Sequence, residues 1–158
     1  MNAMQKMLLI PSSALLLAAG VGSAQADSLP VDRLDDVLNQ ASSYGFTHYE
    51  EIGIKSRGRA EVEGWIDDEW FAEVEISLDN GEALKEQRER RISGAWGMTD
   101  DDVRQAMDVA RQEGLVEFED IEIDQRGMID IDGRDANGRE LEISVRQGAD
   151  SASGIDRD

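Results

Sequence analysis

The sequence aligns with itself. Shifted by 69 positions and without a gap, Gly45, Ile52, Ile54, Arg57, Gly58, Gly64 and Glu73 fall on Gly114, Ile121, Ile123, Arg126, Gly127, Gly133 and Glu142. Apolar positions match in kind: Leu34 with Val103, Leu38 with Met107, Ala41 with Ala110, Val62 with Ile131 and Val74 with Ile143. Chance seldom preserves glycines and core spacing together over such a stretch, so the pattern predicts a tandem duplication. Whatever the first copy folds into, the second is expected to fold into as well.

Each copy opens with helical spacing. Val31, Leu34, Leu38 and Ala41 form one apolar stripe, and Val103, Ala106, Met107 and Ala110 form the other. Thr99-Asp100-Asp101-Asp102 can cap the second helix, with its acids at the positive helix end. Both helices are expected to stop at glycine, Gly45 or Gly114. The period then changes from 3.6 to 2. Ile52 and Ile54, then Ala60, Val62 and Ile66, then Ala72, Val74, Ile76 and Leu78 alternate with polar residues. The second copy offers Ile121 and Ile123, Ile129 and Ile131, then Leu141, Ile143 and Val145. Turn signals separate these runs at Arg57-Gly58, Asp67-Asp68, Asn80-Gly81, Arg126-Gly127 and Asn137-Gly138. Residues 82–91 read as a fourth strand.

The predicted fold class is α+β: two tandem repeats, each a helix packed on a three- to four-stranded antiparallel sheet. The first repeat covers 27–92, a linker 93–97, the second repeat 98–147 and a flexible tail 148–158. A unit of ~60 residues without a disulfide is marginal alone, so the copies are expected to share a core or a continuous sheet.

The first 26 residues stand apart, with no acid, a single Lys6, an apolar run from Met7 to Ala19 and then Ala24-Gln25-Ala26. This is the layout of a cleaved export signal, too short in its apolar part for the ~20 residues of a spanning helix. It predicts a periplasmic or secreted protein beginning at Asp27. With 35 acidic against 16 basic side chains, the chain carries a formal charge of −19, which argues against nucleic acid and against anionic lipid. It contains no cysteine, which excludes a disulfide scaffold and thiolate chemistry.

Tyr44-Gly45-Phe46 through Ile52, Glu61-Val62-Glu63-Gly64-Trp65, Glu73-Val74-Glu75-Ile76 and Leu78-Asp79-Asn80-Gly81-Glu82-Ala83-Leu84 form a pattern that resembles the PepSY family, named for peptidase propeptides. The second copy resembles it through Gly114-Leu115, Ile121 to Gly127 and Arg139 to Val145, and departs at Arg146-Gln147-Gly148, where the terminal Asp is missing. The resemblance implies a domain that binds or restrains peptidases. A tandem pair of such units is also similar in architecture to the secreted β-lactamase-inhibitor proteins, whose sheet face grips an enzyme.

No phosphate loop, zinc-protease helix or nucleophile elbow is present, and the single histidine, His48, has Glu117 as its counterpart. A non-enzymatic protein without cofactor or fixed metal is therefore expected. The acid-rich run from Asp130 to Glu140 fails as an EF-hand loop, because Arg134 occupies the fifth place and Asp135 the sixth. Strand alternation with an Asn137-Gly138 turn explains it better.

The outward side of the first sheet should carry Glu51, Lys55, Glu61, Glu63, Glu73 and Glu75, together with Trp65 and Phe71. Two aromatics among carboxylates have the composition of a binding site, with Trp65 and Phe71 as anchors and Glu61, Glu63, Glu73 and Glu75 as rim. The competing possibility is that Trp65 and Phe71 pack as a cross-strand pair or under the other copy. The second face should carry Asp120, Glu122, Asp124, Asp130, Asp132, Glu140 and Glu142, relieved by Arg134 and Arg146. The functional expectation is an exported module that binds a protein partner, such as a peptidase or other hydrolase that it restrains. The alternative is an acidic envelope protein that loosely binds or senses divalent cations such as calcium.

Overall fold

The computed structural model describes residues 27–158; the expected export signal at 1–26 lies outside them. The elements run β1 (Leu29–Pro30), a 3-10 turn (Val31–Arg33), α1 (Leu34–Tyr44), β2 (His48–Ser56), β3 (Arg59–Trp65), β4 (Trp70–Ser77) and β5 (Ala83–Arg90). Then follow α2 (Asp100–Gln112), β6 (Leu115–Ile123), β7 (Met128–Asp135), β8 (Glu140–Arg146) and β9 (Gly154–Arg157). Gly45 ends α1 at φ 125° and Gly114 follows α2 at φ 104°, a conformation that glycine reaches without the strain of a Cβ. Thr99 caps α2, accepting from the Asp102 backbone N–H while the Asp102 carboxylate accepts from that of Thr99.

The expectation of two tandem repeats, each a helix on its own three- to four-stranded sheet, is corrected, while the continuous sheet expected to join them is present. The described strands form one nine-stranded antiparallel sheet in the order β5-β4-β3-β2-β6-β7-β8-β9, with β1 also paired to β6. The join is β2 against β6: Ile52 faces Ile121, Glu51 faces Glu122 and Gly53 faces Asp120. Ile52 thus meets the residue 69 positions beyond it, and the two halves of the sheet meet head to head. The physical reason is the edge. In isolation β2 and β6 would each leave a row of unpaired N–H and C=O groups, and pairing them satisfies both rows at once.

The lead-in segments tighten the join by crossing it. Leu29 in β1 pairs with Phe118 of β6, and Met98, ahead of α2, pairs with Tyr49 of β2. Leu29, Met98, Tyr49 and Phe118 are all fully buried. Across the helices, Arg104 of α2 bonds Asp35 of α1 at 2.9 Å, and Arg111 reaches Asp32.

Both helices lie on the same side of the sheet. Leu34, Val37, Leu38 and Ala41 of α1 and Val103, Ala106, Met107 and Ala110 of α2 form one core with the inward residues of β2–β4 and β6–β8. That single core is what two marginal units could not build separately.

The tail from 148 onward also departs from expectation. Gly154–Arg157 forms β9 on the edge of β8, with Ile155 opposite Ile143 and Asp156 opposite Glu142. A short polar strand is sustained there by the otherwise open edge of β8, which local composition does not reveal. At the opposite end of the sheet, residues 83–90 of the charged segment do form a strand, β5, every residue of which is exposed.

Candidate functional site

The face of the sheet turned away from the helices carries the chain's most concentrated chemistry. Strand pairing aligns its side chains into rows. One row runs Gln87, Glu73, Glu63, Glu51, Glu122, Asp130 and Ser144, across β5 to β8. The adjacent row runs Lys85, Glu75, Glu61, Gly53, Asp120, Asp132, Glu142 and Asp156, across β5 to β9. Neighbouring strands lie ~4.8 Å apart, and like charges directly opposite one another destabilise a sheet. Here they face one another strand after strand.

The electrostatic consequence is visible in the carboxyl groups. Asp120 sits half-buried near the join, and burial, then Glu51, Glu122 and Asp132, push its pKa up to about 7. Asp132 is pushed up to about 6 by burial, then by Glu142, Asp130 and Glu122. Glu51 and Glu63 are raised by burial and by their carboxylate neighbours. Cations offset part of the repulsion: Lys55 bonds Glu61 at 2.7 Å, and Arg59 bonds Glu75 at 2.7 Å with Lys85 at 3.7 Å from it. Glu75, clamped in this way, is a buried carboxylate. Glu61, Glu63 and Glu73 each offer one oxygen within 4.8 Å of the others.

The aromatic anchors expected on this face are not exposed. Trp65 is 0% and Phe71 6% accessible. They pair across β3 and β4 edge to face, with ring centroids 5.8 Å apart. Arg91 stacks over the Phe71 ring at 3.5 Å, and the Trp65 indole N–H donates to Glu50 at 3.0 Å. Arg91, just past β5, and Glu50 close over this corner, where both rings are buried. The cross-strand pair is therefore the outcome, and the partner-facing part of the predicted set shrinks to Glu61, Glu63 and Glu73, all partly accessible. Trp70 is 41% exposed. Trp96 packs partly against the core.

In the other half the same corner is built from charge. Arg134 and Glu140 hold the places 69 positions beyond Trp65 and Phe71, and they too pair across strands. Arg134 donates to Glu119 at 2.9 Å, as Trp65 does to Glu50. Beside this corner lies an open hollow of about 290 Å³ lined by Glu119, Asp132, Glu140, Glu142, Asp156 and Asp158. Sequence reasoning placed Asp120, Asp130, Asp132, Glu140 and Glu142 on an outward face. It missed Glu119 and Asp156, which reach the face only through a bulge in β6 and through β9. Asp124 is taken up by the β6–β7 turn, accepting from the backbone N–H groups of Arg126 and Met128. His48 begins β2 beside Thr47, 3.1 Å from its hydroxyl.

No family model matches the chain, and no curated protein matches it. A solved structure of a candidate lipoprotein from Clostridium difficile 630 is similar to it over 82% of this chain and 93% of that one, at 18% identity and a TM-score of 0.48. Among the described residues no helix is long and apolar enough to cross a membrane.

Proposed function

We propose that this chain is an exported, non-enzymatic binding module whose carboxylate-paved sheet face takes a basic protein surface. The observation that carries the reading is the pair of rows through Glu63, Glu51, Glu122 and Asp130 and through Glu61, Asp120, Asp132 and Glu142. Like charges held this close oppose folding. Lysine and arginine side chains laid across the rows relieve that repulsion, so the face gains more from a cationic partner than scattered surface acids would. A single-signed field of this kind also accelerates encounter with a basic partner and discriminates against acidic ones. Export rests on the layout of residues 1–26. The PepSY resemblance supports a peptidase or another hydrolase with a basic surface as the partner class.

The test uses defined probes: oligolysine, a folded basic protein and calcium chloride, each titrated calorimetrically at low and at physiological salt. The expected result is binding of both polycations that weakens steeply with salt. The variant Glu51→Gln/Glu122→Gln/Asp130→Asn should lose at least about tenfold in affinity. Polycation affinity unchanged in that variant overturns the assignment. Calcium binding tighter than millimolar without polycation binding transfers the face to the second reading, a divalent-cation binder. The convergence of Glu61, Glu63 and Glu73 favours that reading.

A further inference from the structure

The sheet ends at β5, and β5 is complementary to itself. All eight of its residues are exposed, and it ends the sheet: one side of its backbone is paired to β4, and among the described residues no strand pairs the other. The Arg91 N–H donates to the Glu69 carbonyl. By strand alternation Gln87 and Glu89 also turn their backbone groups toward β4, while Glu86, Arg88 and Arg90 turn theirs outward. An open row of this kind is a template for another strand, and charged side chains ordinarily blunt it. Here the charges do more than blunt it.

From Lys85 to Arg91 the order is Lys-Glu-Gln-Arg-Glu-Arg-Arg. Laid antiparallel against a second copy with Gln87 on the axis, Lys85 faces Glu89, Glu86 faces Arg88, and each pair occurs twice. Gln87, the uncharged member of the run, is the residue that meets itself. Sliding the register to centre on Glu86 sets that carboxylate against itself. Centring on Arg88 sets two guanidiniums together and Lys85 against Arg91. Of these registers only the central one faces no like charges: Lys85–Glu89 and Glu86–Arg88 are opposite pairs, and Arg90 falls opposite the uncharged Leu84. Opposite charges across a strand pair stabilise it and like charges do the reverse, so the same residues that reject other registers and other edges admit this one.

We propose that β5 is a homodimer interface, pairing antiparallel with β5 of a second copy about a two-fold axis through Gln87. The outward N–H and C=O groups of Glu86 and Arg88 supply its central hydrogen bonds. The axis stands perpendicular to the sheet, so both helix layers fall on one side and both carboxylate faces on the other. The geometry repeats between molecules what β2 and β6 do within one, where Ile52 meets Ile121. The carboxylate row through Glu73 and Gln87 then continues into the partner with no like-charged contact at the boundary.

The experiment is sedimentation equilibrium of the purified protein at physiological salt, up to about 1 mM, where even a millimolar association registers. A monomer–dimer equilibrium is expected. Lys85→Glu sets Glu against Glu89 at two symmetric places and should raise the dissociation constant about tenfold or more. The double exchange Lys85→Glu/Glu89→Lys restores opposite charges and should return it to within about threefold of the starting value. Arg126→Glu makes the same change in net charge at an exposed turn and controls for general repulsion. Monomer at every concentration, a dimer indifferent to Lys85→Glu, or a double exchange that fails to rescue each overturns the proposal. The rescue variant also separates lost association from lost folding. Because the dimer rests on the strand edge, its failure leaves the reading of the acidic face untouched.

Discussion

Trp65 and the glycine beside it show how one position on a strand decides a corner of the molecule. The indole is fully buried against Phe71 and holds Glu50 through its N–H. Trp65→Ala should therefore cost about 3–5 kcal/mol in urea unfolding, as large-to-small changes in cores do. A surface anchor would leave stability unmoved. Gly64 and Gly133 are tighter still: a Cβ there would lie 2.1 Å from the His48 carbonyl oxygen and 2.0 Å from that of Glu117. Neither contact can be relieved by turning a side chain, so Gly64→Ala or Gly133→Ala should each destabilise by ~3 kcal/mol or more, read from the urea midpoint. Both glycines stood out in the sequence because they were preserved across the two halves. The fate of Trp65 did not, because alternation assigns a face to a side chain and is silent about what a neighbouring strand lays over it.

Within the strands, the carboxylate rows make stability run against the usual acid dependence. The native pKa of Asp120, about 7, lies above its ordinary value of 3.8. Below that ordinary value the group is protonated whether folded or unfolded and contributes no difference. Between pH ~4 and ~7 the folded form holds the proton that the unfolded form has released, so stability declines as pH rises, and above ~7 the full penalty remains. Asp132, at about 6, adds the same sign over a narrower window. Calorimetric melting should show a higher Tm at pH 5 than at pH 8. Asp120→Asn should raise the Tm at pH 8 by about 3 °C and flatten the slope between the two, water reaching this face having weakened the effect. Helices, caps and most strands were legible as elements, since period, glycine stops and Asn-Gly turns all agreed. β9 was not, because Gly154-Ile155-Asp156-Arg157 has no alternating pattern of its own and exists by virtue of β8's edge.

At the scale of the whole molecule, one continuous sheet turns two hairpin faces into a single field. Which edge meets which is a long-range choice with no local signature, so the β2–β6 join, and with it the crowding around Asp120, lay beyond strand-by-strand reasoning. The shared core further predicts one cooperative transition, with tryptophan fluorescence and circular dichroism melting together; separate midpoints for the halves would contradict it. Cations laid on the face should lower the Asp120 pKa and expel its proton. Binding of oligolysine at pH 6.5 should therefore release protons, measured as a calorimetric enthalpy that changes with the ionisation enthalpy of the buffer. Asp120→Asn should reduce that release.

The crossed lead-in strands have a topological consequence. Leu29 belongs to the first half and is seated against Phe118 of the second, while Met98 precedes the second helix and is seated against Tyr49 of the first. Each half therefore carries a piece that only the other can house. A backbone nick between Ile92 and Gly97 would not liberate two autonomous lobes. It would yield a pair of interlocking fragments, each incomplete, that recover the native sheet only on finding one another. That makes the exposed stretch near Ile92 a natural place to divide the chain into a split reporter of its own assembly.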